Sequence, residues 1–188
     1  MGSLTQEQIS LITGTIIGDG YLRIVPKRKN AFLEVNHSAT QSEYVSWKYN
    51  LLQSVVRSGP KLRNGNGDRI ACRFYTRCLP EITELFRHFY KDRKKIIPTN
   101  LILNSLSLAV WYMDDGSKSG GSVYLNTQQF SRRDQEKLQS VLEDQFGIHS
   151  SLNRDKKYLR IRVATRDAAK FCSIIRDYVP RCMQYKLV

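Results

Sequence analysis

Two carboxylates carry the first chemical signal in this sequence. Asp19, in Gly18-Asp19-Gly20, follows an apolar, helix-compatible stretch from Ile9 to Ile17. Asp115, in Asp114-Asp115-Gly116, follows a second such stretch from Leu106 to Met113. The two Asp-Gly pairs lie 96 residues apart in a chain of 188, about half its length. A carboxylate in a last helical turn faces the negative end of the macrodipole and loses roughly 0.3–1 kcal/mol, so its recurrence invites a compensating cation. The glycine after each acid is expected to stop its helix in the left-handed conformation. Gly14 and Gly18, four residues apart, permit close helix approach. Packed side by side about a pseudo-two-fold axis, the helices would bring Asp19 and Asp115 together at one end. Converging carboxylates repel or share a proton unless a divalent cation lies between them. Mg²⁺ suits that place, because it takes oxygen ligands, keeps several waters and joins phosphate oxygens to carboxylates. There it can activate a water and stabilise the leaving oxygen of a phosphodiester. Taken singly, each acid does no more than cap a turn; the matched pair favours the chemical reading.

The elements that must position these acids repeat. After Gly20 come two alternating runs, Tyr21 to Val25 and Phe32 to His37, separated by Pro26 and the basic Lys27-Arg28-Lys29. A helical pattern follows, with Tyr44, Trp47, Lys48, Leu51, Leu52 and Val55 at three- and four-residue steps, stopped at Ser58-Gly59-Pro60. A hairpin joins Lys61–Arg63 to Arg69–Arg77 across Asn64-Gly65-Asn66-Gly67, and a helix from Pro80 to Tyr90 closes the half. In the second half, Gly120-Gly121 leads into a strand at Val123–Thr127. A helix runs from its cap at Ser131 through Phe146 to Gly147. A hairpin at Ser150–Arg154 and Tyr158–Thr165 and a helix from Arg166 to Tyr178 complete it. The predicted fold is a duplicated α+β unit, helix-strand-strand-helix-strand-strand-helix twice over, divided at residues 1–103 and 104–188.

Strand side chains alternate faces, so each run splits into two sets. Cys72 and Phe74 oppose Arg69, Arg73, Tyr75 and Arg77; Ile161 and Val163 oppose Tyr158, Arg160 and Arg162. Val123 and Leu125 oppose Tyr124, Asn126 and Gln128; Leu33 and Val35 oppose Glu34 and Asn36. The apolar sets can pack on helices, leaving open faces rich in Arg, Asn, Gln and Tyr. Such side chains read base edges in a major groove, Arg at guanine and Asn or Gln at adenine. Arg23, Lys27 and Arg28 extend the basic surface. With 30 Lys and Arg against 17 Asp and Glu, the net charge is +13, which points to a polyanion. The longest apolar run, Leu108–Met113, is far too short to span a membrane. No signal segment opens the chain. Cys72, Cys78, Cys172 and Cys182 form no Cys-x-x-Cys, and His37, His88 and His149 have no ligand spacing, so a structural zinc is not expected. The cysteines read as reduced, buried side chains.

Ile12 to Gly20 and Leu108 to Gly116 resemble the nine-residue motif of the LAGLIDADG homing endonucleases, in particular the single-chain branch with two motifs. Further matches are Lys94-Lys95-Ile96-Ile97-Pro98, Leu125-Asn126-Thr127-Gln128 and Tyr185-Lys186-Leu187. The chain departs from the pattern at Ile12, and Val110 and Asp114 stand where the first motif has Gly14 and Gly18, so an asymmetric helix contact is expected. The resemblance implies a saddle of two antiparallel sheets on double-stranded DNA, a monomer, and cleavage of both strands of a long asymmetric site. It implies that Asp19 and Asp115, with the backbone carbonyls of Gly18 and Asp114, hold the metal, and that Lys95 and Lys186 support the reaction. It further implies Mg²⁺ as cofactor, replaceable by Mn²⁺, with Ca²⁺ supporting binding without cleavage. Members of the family also assist RNA splicing, so intron RNA is the alternative partner.

Overall fold

The computed structural model describes residues 4–65 and 67–187. Thr5 opens α1 (Gln6–Ile17) with a capping box: its hydroxyl accepts from the Gln8 amide at 3.2 Å, and the Gln8 side chain accepts from the Thr5 amide at 3.1 Å. Asn104 and Ser107 build the same reciprocal cap on α4 (Ser105–Asp115). The Asn104 amide also donates to Ser10 Oγ at 2.8 Å, tying the start of α4 to α1. Both helices are buried along most of their length, and Leu11, Ile12, Ile16 and Ile17 of α1 share one core with Leu108, Ala109, Val110 and Trp111 of α4.

Close approach of the two helices depends on asymmetric side chains. A Cβ at Gly14 would run into the Ser107 carbonyl and lie 2.8 Å from Val110 Cβ; one at Gly18 would lie 2.5 Å from Asp114 Cβ. The two departures of the second motif therefore fill the spaces left by the two glycines of the first. The glycines after the acids do not adopt the expected left-handed conformation: neither Gly20 nor Gly116 has a positive φ. They are glycines because a Cβ would strike Thr15 or Tyr112. The acids also differ in place, since α1 ends at Ile17, leaving Asp19 beyond it, whereas Asp115 is the last residue of α4.

After α1 follow β1 (Tyr21–Arg23), β2 (Phe32–Ser38), α2 (Ser42–Leu52), β3 (Lys61–Asn64), β4 (Ile70–Tyr75), α3 (Pro80–Phe89) and a small ribbon of β5 (Tyr90–Lys91) and β6 (Lys94–Lys95). After α4 follow β7 (Gly116–Ser119), β8 (Ser122–Leu125), α5 (Arg132–Phe146), β9 (Ser150–Asp155), β10 (Tyr158–Val163) and α6 (Ala168–Ile175). The two large sheets are antiparallel and share one order, β1-β2-β4-β3 and β7-β8-β10-β9, so the αββαββα order occurs twice. Asn66, in the turn expected between β3 and β4, lies outside the described residues. The strand placed at Val123–Thr127 is the second arm of a hairpin whose turn, Gly120-Gly121, has positive φ at both residues. That arm ends at Leu125; the Asn126 amide still donates to the Asp115 carbonyl at 2.9 Å, and the chain then turns, the Phe130 amide donating to the Thr127 carbonyl at 3.0 Å. Arg69 and Arg77 flank β4 rather than belonging to it. The last helix is shorter than its apolar pattern, with 3₁₀ turns at Thr165–Asp167 and Arg176–Tyr178, and a further 3₁₀ segment, Arg181–Lys186, follows. All four cysteines are free, but Cys78 is exposed and Cys182 partly so; only Cys72 and Cys172 are buried. No helix among the described residues is long and apolar enough to cross a membrane.

Candidate active site

The ends of α1 and α4 open into a cavity of about 240 Å³ lined by Gly18, Asp19, Tyr21, Lys95, Asp115, Asn126, Gln128 and Gln129. Asp19 and Asp115 share this space. Burial, then the charges of Asp19 and Asp114, push the Asp115 carboxyl up to about 7. Burial and Asp114 raise Asp19 as well. Among the described residues neither carboxylate makes an ion pair with a lysine or arginine.

The two lysines act on the backbone around the acids. Lys95, on β6, donates to the Gly18 carbonyl at 2.8 Å, and its ammonium lies 4.8 Å from the centre of the Tyr21 ring. Lys186, in the C-terminal 3₁₀ segment, donates to the Met113 carbonyl at 2.6 Å and to the Gly116 carbonyl at 3.0 Å. Tyr112 returns a bond from its hydroxyl to the Lys186 carbonyl at 2.6 Å. These cations meet the exposed carbonyls at two helix C-termini, where the macrodipole favours them. Burial lowers Lys95 to about 8 and lowers Lys186 too.

Asp114, the neighbour of Asp115, is turned away from the cavity. Its side chain is fully buried against Lys48 Nζ, at 2.7 and 2.8 Å, and accepts from the Tyr44 hydroxyl at 2.8 Å. It is therefore removed as a rival to Asp115. Buried His37 stands between the acids, with Nδ1 3.8 Å from Asp19 and Nε2 3.7 Å from Asp114. Burial, then Lys48, hold its pKa down to about 4. Gln129 Nε2 reaches the Ile17 carbonyl at 3.1 Å and the Gly18 carbonyl and Asp115 Oδ2 at 3.4 Å. Sequence patterning missed Lys48, Tyr44, His37 and Gln129. The available signal was Lys48 itself, a charge inside the buried stripe Tyr44, Lys48, Leu52 of α2.

The donor set fits a hard divalent cation. Two oxygen-bearing side chains repel each other in one cavity without a cationic partner, and the nearby amines bond to carbonyls instead. Among the described residues no group of three or more His, Cys, Asp or Glu side chains is arranged to hold a metal, so the other ligands of such an ion would have to come from water and phosphate oxygens. The Gly18 carbonyl already accepts from Lys95 and Gln129.

The open sheet faces carry most of the residues singled out for DNA. Asn36 on β2 stands opposite Arg73 on β4. The Arg73 guanidinium lies 5.6 Å from the centre of the Tyr75 ring. On the other sheet Arg160 stacks 4.3 Å from the centre of the Tyr124 ring. The Nε atoms of Arg73 and Arg160 are buried with no partner among the described residues. Arg162 is tied to Ser122 Oγ at 3.0 and 3.2 Å, and Arg23 pairs with Glu34 at 3.0 Å. Lys27, with φ of 69°, and Arg28 are exposed in the β1–β2 loop, and Arg69 and Arg77 are exposed beside β4. Asn126 and Gln128 lie beyond the end of β8 and line the central cavity instead, Gln128 also donating to Asp155 at 2.9 Å.

Residues 9–171 match the profile of the LAGLIDADG DNA endonuclease family. The chain belongs to that family. Among curated relatives of this LAGLIDADG protein, Protein RecA of Mycobacterium gastri is 31% identical over 98% of the chain, which spans 48% of that relative. The chain thus covers about half the length of the RecA proteins it matches. The probable intron-encoded endonuclease 1 of Wickerhamomyces canadensis is 28% identical over 99% of the chain and 86% of its own length. The cytochrome b mRNA maturase bI2 of Debaryomyces hansenii is 24% identical over 98% of the chain and 74% of its own length. The solved structure of the homing endonuclease I-WcaI bound to its DNA recognition sequence superposes with a TM-score of 0.92 at 27% identity. The match covers all of this chain and 88% of that one.

Proposed function

We propose that this chain is a site-specific endonuclease, acting as a monomer, that hydrolyses one phosphodiester in each strand of a long asymmetric DNA duplex. The observation that carries this reading is the pair of acids, Asp19 and Asp115, held in one cavity without a cationic partner and flanked on each side by a lysine. LAGLIDADG endonucleases depend on a divalent metal; here Asp19 and Asp115 would hold it, with Mg²⁺ as the physiological ion and Mn²⁺ as a substitute. Bound there, the ion supplies charge neutralisation and an activated water. The residues do the rest. Lys95 and Lys186 fix the helix ends and set a positive charge beside each strand's scissile phosphate. His37, held neutral, adds no charge between Asp19 and Asp114.

On the sheets, the tyrosine stacks under Arg73 and Arg160 leave planar guanidinium edges that suit the two acceptors of a guanine, while the opposed Asn36 suits an adenine. Lys27, Arg28, Arg69 and Arg77 set register on phosphates. The division at residues 1–103 and 104–188 gives each sheet its own half-site. Similarity to a maturase supports a second reading, RNA binding in splicing, because a basic sheet face serves structured RNA as well.

The deciding experiment incubates the protein with a randomised duplex library in Mg²⁺ and sequences the ends released. Discrete double-strand breaks that stop in chelator, with the cut duplex still bound in Ca²⁺, are expected. No breaks, with rescue of intron splicing, would replace this reading by the maturase.

A further inference from the structure

The Lys48–Asp114 pair has no part in the chemistry above. A fully buried ion pair is weak support for a fold, since apolar residues of similar volume often serve stability as well or better. Asp114 also stands in the last turn of α4, where the macrodipole disfavours it. Its surroundings nonetheless satisfy it completely: both oxygens meet Lys48 Nζ and one meets the Tyr44 hydroxyl, with the ammonium 4.7 Å from the centre of the Tyr44 ring. Lys48 and Tyr44 belong to α2, in the opposite half of the chain. Asp114 reaches them across Gly18, whose missing Cβ leaves the slot. The other motif helix has no such bolt, because the residue before Asp19 is Gly18 itself.

The consequence is mechanical. Lys186 bonds to the carbonyls of Met113 and Gly116, which bracket Asp114 and Asp115. Loosening Asp114 therefore frees Asp115 and the seat of Lys186 together. Lys95 bonds to Gly18 on the other helix and keeps its seat.

We propose that Lys48 is a positioning residue: through Asp114 it ties the end of α4, with Asp115 and Lys186, to the half that carries β1–β4, so that one of the two strand cuts depends on it more than the other. The proposal rests on the endonuclease reading and sharpens it.

The test measures nicking of each strand of an end-labelled duplex taken from the cut library, in Mg²⁺, for wild type, Lys95→Met, Lys186→Met, Tyr44→Phe and the charge-balanced double variant Lys48→Met with Asp114→Asn. Melting temperature and DNA affinity in Ca²⁺ are read alongside. The double variant should slow the strand most affected by Lys186→Met by about tenfold or more, the usual scale for residues that orient a metal ligand, and leave the other strand within about threefold. Its Ca²⁺-supported affinity should stay near wild type. Tyr44→Phe, which removes one hydroxyl, should show the same bias more weakly, and it alone decides if the double variant does not fold. Equal slowing of both strands, wild-type rates, or a bias matching Lys95→Met would overturn the proposal. A wild type that cuts no duplex would instead overturn the endonuclease reading and this inference with it.

Discussion

The two motif helices end in different ways although their backbones do the same job. At the end of α1, Gly18 offers only its carbonyl, which Lys95 takes, and Asp19 stands beyond the helix with its side chain 48% exposed. At the end of α4, Asp114 sends its carboxylate into the neighbouring half, and Asp115 remains in the helix, the more strongly perturbed of the two acids. Lys186 nevertheless takes carbonyls there just as Lys95 does. Pseudo-symmetry is thus kept in backbone and lysines, while the side chains at the helix contact are complementary: Val110 and Asp114 occupy what Gly14 and Gly18 leave open. A duplicated unit can diverge in this way at its central contact and still keep both acids in one cavity.

The comparison breaks first at the acids. If both belong to one metal site, Asp19→Asn and Asp115→Asn should each lower double-strand cleavage by about a thousandfold, given the several kcal/mol a catalytic metal contributes. Affinity in Ca²⁺ should stay within a few-fold by gel shift. Full cleavage in either variant would remove that residue from the site. Lys95→Met and Lys186→Met come next, with losses of about ten- to a hundredfold. They should slow opposite strands, since each lysine sits at a different helix end; the same strand slowed by both would contradict the one-lysine-per-side arrangement.

Much of this asymmetry was written in residues whose destination the sequence does not reveal. The acids, the two motif helices and the hairpins β3–β4 and β9–β10 were legible because periodicity, turn residues and duplication are local properties; the β2–β4 and β8–β10 pairings, which join distant segments, were not. The supporting role of the lysines came only through family resemblance, because Lys95 sits in a basic run and Lys186 in a tail without pattern. Lys48 was visible as one member of a helical stripe, but a stripe records which face is buried and not which carboxylate, 66 residues away, will meet it. Nothing in the spacing of His37 points to the site, because its place between Asp19 and Asp114 arises from the end of β2 meeting two helix ends. Parity places Gln128 on a sheet face, which fails because β8 ends at Leu125 and the chain turns between Thr127 and Phe130.

The glycine slot gives a smaller effect, now on stability. Gly18→Ala places a methyl 2.5 Å from Asp114 Cβ and 2.8 Å from its Oδ2. Overpacking of this kind costs about 1–3 kcal/mol, read as a lowered midpoint in urea. In a Lys48→Met, Asp114→Gly background, where the open space moves to the other helix and no buried ammonium is left unpaired, Gly18→Ala should cost less than it does in the wild type. An equal cost would mean that the contact is not complementary at this position.

The smallest effect concerns protons and separates Asp115 from its surroundings without any DNA. Asp115 titrates near 7 in the folded chain against an ordinary 3.8. Between those values the folded state holds a proton that the unfolded state has lost, so stability falls as pH rises and levels off above about 7. His37 has the reverse sign: it titrates near 4 when folded and near 6.5 when not, so its contribution grows as pH rises through that window. In metal-free wild type the two oppose each other below pH 6.5; beyond it the His37 gain is complete while the Asp115 loss continues to about 7. Asp115→Asn removes that loss. Its melting temperature in chelator should therefore climb from pH 4 to 6.5 more steeply than wild type and exceed it at pH 8, by about a few degrees. Mg²⁺ at pH 8 should raise wild type and leave the variant unmoved. Identical profiles in chelator would show that burial and the neighbouring acids together do not raise Asp115, and the case for a shared cation would lose its electrostatic ground.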